Sequence, residues 1–134
     1  MPERRPAGLL DTSVVIDLDV IDGGQLPLTV GVSAITMAEL AAGPASTSDP
    51  AERARRQDRL QRAEAAFESI PLGAEAARAY GRVHAAVVAS GRQPRPRFAD
   101  LLIAATAVAE NLPLDTRNPK DFAGLEDLVV IVEV

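Results

Sequence analysis

At 134 residues, with 47% hydrophobic but only 3% aromatic residues, the chain is long enough for one domain with a core of small aliphatic side chains. The absence of cysteine excludes disulfides, a thiolate nucleophile and cysteine-ligated metals, and the single His84 excludes a multi-histidine site. A net charge of −5 argues against a non-specific nucleic-acid coat. No apolar run approaches the roughly 20 residues of a membrane span, so we expect a cytoplasmic protein with no membrane partner.

Strand-like and helix-like segments alternate along the chain. Short apolar runs bounded by turn residues predict strands at 8–10, 30–34, 70–72, 112–114 and 129–132. Helical spacing of apolar residues predicts helices near 14–18, over 35–42, 51–69 and 74–90, and from 98 onwards. The expected inner face of the fourth helix comprises Ala76, Ala77, Tyr80, Val83, His84 and Val87. The alternation predicts a single α/β domain over residues 1–134, with a parallel central sheet of about four to five short strands between helices.

One acidic residue stands at the head of the most apolar helix. Apolar residues recur there at helical spacing from Phe98 to Leu112, and the opposite side is small and apolar as well. A helix that is apolar nearly all round is a buried helix, so Asp100 begins a core element. An ionised carboxylate in such a place is costly unless a cation, a metal or several donors meet it.

Other polar residues are predicted to approach Asp100. In a parallel sheet the functional crevice lies beyond the carboxyl ends of the strands. Asp11 follows the first predicted strand, 116–118 follow the fourth, and Glu39 lies one turn into the helix after the second. Residues far apart in sequence therefore project toward one end of the fold.

Each of these carboxylates also has a purely structural explanation. Asp11 could cap the helix that follows it, and Glu39 stands three residues after Thr36, which is the spacing of a capping box. Against the capping box, Ile35 and Ala42 put Glu39 on a stripe that looks buried. Asp100 could complement the helix dipole as a first-turn anion. Their convergence favours a shared site over three independent caps.

Four segments carry a resemblance to a known family. Leu9–Ser13, Ile35–Leu40 and Phe98–Ala107 resemble motifs of the PIN-domain ribonucleases, and Thr116–Phe122 is similar to the closing motif of the same group. The order and spacing are similar over almost the whole chain. More narrowly, the chain resembles VapC-type toxins of bacterial toxin–antitoxin pairs.

The resemblance implies an α/β/α sandwich and RNA cleavage with Mg²⁺ or Mn²⁺. Asp11, Glu39 and Asp100 would form the catalytic, metal-binding cluster. The fourth family position, often Asp, falls on Asn118, whose amide oxygen could still bind the metal or its water. Asp115 or Asp121 could compensate for the missing charge, and we rank Asp121 first. The resemblance also implies a cognate VapB-like antitoxin and a homodimer. Hydroxyls expected to orient carboxylates or waters are those of Thr12, Ser13 and Thr116.

The expected chemistry explains why carboxylates are needed. Mg²⁺ and Mn²⁺ prefer oxygen ligands, and clustered negative charges raise one another's pKa and favour capture of a divalent ion. The metal would lower the pKa of a bound water that attacks the phosphodiester. RNA also needs cations, for which Arg97, Arg117 and Lys120 flank the site in sequence, although exposed arginines are also common in solvated loops.

Two rival functions come from other classes. Asp17-Leu18-Asp19 resembles the nucleophile motif of haloacid-dehalogenase-like phosphatases, but the one lysine, Lys120, has only 14 residues after it and no Gly-Asp pattern follows. The other rival is a catalytically degenerate PIN-like binding module, which the Asn at position 118 favours and the intact acidic triad opposes. Binding of a divalent metal distinguishes this module from a nuclease.

Overall fold

A computed structural model describes residues 4–134. Its strands form one parallel five-stranded sheet in the order β3-β2-β1-β4-β5, with β1 paired to both β2 and β4. The strands are β1 (Ala7–Leu10), β2 (Thr29–Ser33), β3 (Ser69–Ile70), β4 (Leu114–Thr116) and β5 (Ile131–Glu133). The helices are α1 (Thr12–Ile16), α2 (Ala34–Ala42), α3 (Pro50–Ala66), α4 (Ala74–Ala89) and α5 (Phe98–Glu110). Short 3₁₀ turns include Arg95–Arg97 and Pro119–Phe122.

Helices cover both faces of the sheet, as the predicted α/β/α architecture requires. Successive residues of a strand point to opposite faces, so the neighbours Leu9 and Leu10 belong to different cores. Leu9 packs with residues of α4 and α5, including Val83 and Leu101, whereas Leu10 packs with residues of α1, α2 and α3. The predicted fold class is therefore confirmed, and the carboxyl ends of β1, β2 and β4 meet at one edge.

Several predicted boundaries were wrong by one to three residues: the first helix is Thr12–Ile16 rather than 14–18, the second strand Thr29–Ser33 rather than 30–34, and the third strand Ser69–Ile70 rather than 70–72. Three further differences have a local cause. The third helix ends at Ala66 rather than at 69, because Phe67 adopts an extended backbone before β3. The fourth strand begins at Leu114, since Pro113 has no N–H to donate to the ladder. The fifth strand begins at Ile131, because the N–H of Val129 is used in a turn to the carbonyl of Leu125.

The inner faces of the last two helices were partly mispredicted. In α4 the buried residues are Ala76, Ala79, Val83 and Val87, while the predicted inner residues Ala77 and His84 are exposed. In α5 the central residues are buried as predicted, but Phe98 is 53% exposed, because it is the first residue of the helix and less of its surface is covered there. None of the helices in residues 4–134 combines the length and the apolar character needed for a membrane crossing.

Candidate active site

Four carboxylates from separate elements lie near one another at the carboxyl edge of the sheet. The pKa of Asp100 is raised from 3.8 to about 6. Burial is the largest cause, the negative charges of Asp11, Asp121 and Glu39 contribute, and Arg97 acts in the opposite direction. Like charges shift a pKa in this way only when they are close. The structure thus brings together the three acids predicted as the cluster and Asp121.

Asp11 is held by a network of hydroxyls and backbone amides. Its Oδ2 accepts hydrogen bonds from Ser13 Oγ at 2.8 Å and from Thr116 Oγ1 at 2.9 Å. Those hydroxyls in turn accept from the backbone N–H groups of Arg117, at 3.1 Å, and Asn118, at 3.0 Å. The loop after β4 therefore fixes the carboxylate that follows β1.

The other oxygen of the same carboxylate has no partner. Asp11 Oδ1 is a buried side-chain oxygen without a hydrogen bond in the described part of the chain. Although Asp11 occupies the N-cap position of α1, its side chain makes no capping hydrogen bond. The helix-cap explanation of Asp11 is therefore wrong, and its buried Oδ1 is available to a cation.

Glu39 is exposed rather than buried, so its predicted place on a buried stripe was wrong. Its Oε1 accepts a hydrogen bond from Thr12 Oγ1 at 2.6 Å, and Thr12 Oγ1 lies 3.0 Å from Thr36 Oγ1. The capping-box explanation is also wrong, because the N-cap of α2 is Ser33, whose Oγ accepts from the Thr36 N–H. Thr12 instead directs the Glu39 carboxylate.

Asp100 is half-buried in the first turn of α5. A carboxylate whose environment were dominated by the helix dipole would have a lowered pKa. The pKa of Asp100 is raised, with burial as the largest cause and three neighbouring acids contributing. The dipole explanation therefore does not account for its environment.

The two candidates for the fourth acidic position differ in their surroundings. Asp121 Oδ1 accepts a hydrogen bond from Arg97 Nη1 at 2.5 Å. The negative charge of Asp121 also contributes to the raised pKa of Asp100. Asn118 is exposed, and its backbone carbonyl accepts from the Asp121 N–H in the turn that carries Asp121. This geometry favours Asp121 over Asn118 as the residue that completes the site. The assignment stays a prediction.

Asp115 is excluded from the group. It shares the face of the sheet with its strand neighbour Leu10 and is fully buried in an ion pair with Arg5, whose Nη1 lies 2.8 Å from Asp115 Oδ1. A Cβ on Gly8 would come within 2.6 Å of Asp115 Oδ1. The sequence offered no signal for this pair, because its partners are 110 residues apart.

The predicted RNA-binding cations have different environments. Arg97 is engaged with Asp121, and Arg117 lies 3.6 Å from Asp17. Lys120 is exposed, and within residues 4–134 its side chain has no ion-pair partner. Their proposed contacts with RNA stay predictions.

The donor set fits a divalent cation. In residues 4–134 no three ionisable side chains stand in a ready-made arrangement around one ion. Two of the carboxylates are turned to other partners, Glu39 to Thr12 and Asp121 to Arg97. The unpartnered Asp11 Oδ1, together with the hard oxygen chemistry of the group, matches what Mg²⁺ or Mn²⁺ needs.

Fold and site together define an α/β protein with an acidic centre at the carboxyl edge of a parallel sheet. The PIN domain family model matches residues 9–127. Ribonuclease VapC5 of Mycobacterium tuberculosis is 37% identical over 123 residues, covering 90% of this chain and 88% of that protein. Ribonuclease VapC8 of the same species is 39% identical over 103 residues, covering 75% and 89%.

A solved structure agrees. The crystal structure of VapBC-5, a member of the VapBC family of toxin-antitoxin systems from Mycobacterium tuberculosis, superimposes with a TM-score of 0.84 at 36% identity, covering 96% of this chain and 98% of that one. The chain belongs to the PIN-domain family, as its motifs predicted. The phosphatase alternative loses its basis, because Asp17 and Asp19 lie beyond α1 and outside the carboxylate group.

Proposed function

We propose that this chain is a VapC-type endoribonuclease toxin that depends on a divalent metal, Mg²⁺ or Mn²⁺. The observation that carries the proposal is the buried, unpartnered Asp11 Oδ1 beside three further carboxylates. The similarity to two proteins named ribonucleases supports the reaction. The similarity to a toxin–antitoxin complex supports inhibition by a cognate VapB-like antitoxin.

Four carboxylates would bind the ion, namely those of Asp11, Asp100, Glu39 and Asp121. Asn118 is the alternative to Asp121 at the fourth position. When bound, the ion would supply a polarised water and neutralise charge on the phosphodiester. Asp100, with a pKa of about 6, is mostly ionised above neutral pH and so is available as a ligand there.

The hydroxyl residues would orient the acids. Ser13 and Thr116 both donate to Asp11 Oδ2, which leaves Oδ1 for the ion, and Thr12 donates to Glu39. Such supporting hydrogen bonds fix ligand geometry and typically matter 10–100-fold in metal affinity or activity. Lys120 and Arg117 at the rim would contact the RNA phosphates, and the chain would act as a homodimer.

The direct test is cleavage of total RNA by the purified chain in Mg²⁺, Mn²⁺ or EDTA. We expect cleavage only with the divalent ions, and none by Asp11→Asn or Asp100→Asn. Asp127→Asn is the matched control, because Asp127 is an exposed acid in the segment before β5, away from the carboxyl edge of the sheet; it should cleave like wild type. Loss of cleavage in Asp127→Asn as well would show that the effect of the other two substitutions is not specific to the acidic group.

Two further outcomes bear on the alternatives. A folded wild type that neither cleaves RNA nor binds Mn²⁺ would identify the degenerate binding module instead. Activity that persists in EDTA would contradict the role of the metal. Addition of the cognate antitoxin should abolish cleavage without unfolding the chain, as followed by circular dichroism.

A further inference from the structure

Thr36 carries a fully buried hydroxyl group one turn before Glu39 on α2. The residue is 0% exposed, and its Oγ1 lies 3.0 Å from Thr12 Oγ1. Ser33 Oγ lies 3.4 Å from Thr36 Oγ1, beyond the usual length of a bond between two hydroxyls, and already accepts the Thr36 N–H. Because a buried hydroxyl proton needs an acceptor, the Thr36 proton is directed to Thr12.

The hydroxyl protons of Thr36 and Thr12 can be arranged in one direction only. Thr12 Oγ1 lies 2.6 Å from Glu39 Oε1, and an ionised carboxylate accepts hydrogen bonds but donates none. The single hydroxyl proton of Thr12 therefore lies between Thr12 and Glu39, at a distance typical of a charge-assisted bond. It follows that Thr36 donates to Thr12, and Thr12 donates to Glu39. Bonds in such a chain polarise and strengthen one another.

The Thr36 hydroxyl does not serve the hydrogen bonding of its own helix. Ser33 already caps α2 through the Thr36 N–H. A threonine within a helix commonly bonds a carbonyl of the preceding turn, as Thr106 Oγ1 does with the Leu102 carbonyl at 2.9 Å. Among residues 4–134, the contacts of Thr36 Oγ1 are instead with the hydroxyls of Ser33 and Thr12. A purely structural role within α2 therefore leaves this hydroxyl unexplained.

The spacing of Thr36 and Glu39 places Thr12 between them. Residues three apart lie on one face of a helix, and Thr12 is the first residue of the neighbouring helix α1. Glu39 is exposed, so its long side chain would otherwise sample several rotamers. The Thr12 hydroxyl also has alternative staggered positions, and the bond from Thr36 favours the one that reaches Glu39. The buried Thr36 thus acts on an exposed carboxylate through Thr12.

We propose that Thr36 is a positioning residue of the acidic site: its hydroxyl fixes Thr12, which holds the Glu39 carboxylate toward the other acids. The negative charge of Glu39 is close enough to contribute to the raised pKa of Asp100, so in the held orientation Glu39 faces the acidic group. The proposal rests on the proposed metal-dependent function and adds to it a buried residue that does not itself touch the ion.

The substitution Thr36→Val keeps the shape of the buried side chain and removes its hydroxyl. We expect Mn²⁺ to bind this variant about three- to tenfold more weakly than wild type, since residues that support a ligand typically matter about 10–100-fold and Thr36 acts one bond further away. Calorimetric titration with Mn²⁺ alone, without RNA, measures the affinity. Thr36→Ser retains the hydroxyl and should restore it. Thr106→Val is the matched control, because Thr106 is also buried and its hydroxyl bonds its own helix.

A double-mutant cycle with Thr12 separates positioning from packing. Thr12→Val removes the contact through which Thr36 reaches Glu39, so adding Thr36→Val to it should weaken Mn²⁺ binding no further. Losses that add would overturn the proposal, as would a loss in Thr36→Ser as large as in Thr36→Val. Wild-type affinity in Thr36→Val, or an equal loss in Thr106→Val, would overturn it as well.

The hydroxyl protons provide a readout that needs no metal. In EDTA, NMR should detect slowly exchanging hydroxyl protons of Thr12 and Thr36 in wild type, and the Thr12 signal should be lost in Thr36→Val. Absence of the Thr36 signal from wild type would overturn the proposal even if Thr36→Val did not fold. A wild type that binds no Mn²⁺ would instead contradict the proposed function, and the hydroxyl signals would still decide whether Thr36 directs Thr12.

Discussion

Arg97 Nη1 donates to Asp121 Oδ1 at 2.5 Å, so a residue expected to contact RNA is bonded to a residue expected to bind metal. Both side chains are about one-third exposed. Arg97 also lowers the pKa of Asp100, which burial and nearby acids otherwise raise. The guanidinium thus acts as a counter-ion for the acidic group when no metal is bound.

The first prediction concerns metal affinity. Replacement of Arg97 by Gln should tighten Mn²⁺ binding to the free protein by about three- to tenfold, because removal of a nearby cation favours binding of another. A tenfold change corresponds to about 1.4 kcal/mol. Isothermal titration calorimetry without RNA measures the effect. Arg95→Gln is the control, because Arg95 is an exposed arginine of the same turn. Weaker binding by Arg97→Gln would instead mean that Arg97 positions Asp121 for the ion.

The sequence predicted the convergence of acids because that follows from topology alone. Asp11 follows the end of β1 and Glu39 lies in the helix after β2. A parallel sheet places both residues at the same edge, regardless of the conformation of the loops. The choice between Asn118 and Asp121 depends on how the 3₁₀ turn Pro119–Phe122 directs its side chains. No periodic pattern encodes the direction of a four-residue turn.

Long-range polar pairs were the other feature that the sequence did not reveal. The pairs Arg5–Asp115 and Arg97–Asp121 join residues that are 110 and 24 positions apart, and each residue alone is an ordinary charged side chain. Exposure was also misjudged at Phe98. Apolar periodicity identifies which face of a helix is buried. Phe98 is the first residue of α5, and at that end the face is not fully covered by other elements.

The second prediction concerns pH-dependent stability. Asp100 has a pKa of about 6 in the folded chain, against an ordinary value of 3.8. As pH rises, the carboxyl of Asp100 loses its proton near pH 4 in the unfolded chain but only near pH 6 in the folded chain. The free energy of unfolding therefore falls between about pH 4 and 6, and this decrease is complete above pH 6. In metal-free buffer at pH 8, Asp100→Asn should be more stable than wild type by about 1–2 kcal/mol, after allowance for solvent screening of a half-exposed group.

Urea unfolding of both proteins at pH 4.5 and pH 8, in EDTA, measures this difference. The advantage of Asp100→Asn should be smaller at pH 4.5, where the wild-type carboxyl is mostly protonated in the folded chain. Because each comparison is made at one pH, other titrating groups cancel. An advantage that does not grow with pH would contradict the raised pKa.

The third prediction concerns the buried pair of Arg5 and Asp115. Arg5→Met should lower the free energy of unfolding by about 3 kcal/mol, because it leaves a fully buried carboxylate without its partner. Arg62→Met is the matched control: Arg62 contacts Asp58 and Asp19 on the surface, where ion pairs contribute about 0–1 kcal/mol. Equal destabilisation of the two variants would show that Asp115 finds another partner.

The fourth prediction follows from the fit between Gly8 and Asp115. Gly8→Ala should destabilise the fold by about 1–3 kcal/mol, because its Cβ would come 2.6 Å from Asp115 Oδ1 and 3.1 Å from Pro27 Cγ. The buried, ion-paired carboxylate cannot move aside easily. Gly73→Ala, where an added Cβ would meet nothing within 4 Å, is the control in thermal unfolding. A Gly8→Ala variant as stable as the control would mean that the Arg5–Asp115 pair shifts freely.

The fifth prediction tests whether the hydroxyl network orients Asp11 for function. Thr116→Val keeps the shape of the side chain but removes the donor to Asp11 Oδ2 and the acceptor for the Asn118 N–H. We expect RNA cleavage and Mn²⁺ affinity to fall about 10–100-fold, with only about 1 kcal/mol lost from stability. Thr116→Ser retains the hydroxyl and should restore most of both. If Thr116→Ser is as impaired as Thr116→Val, packing of the methyl group rather than the hydrogen bond to Asp11 is what the site requires.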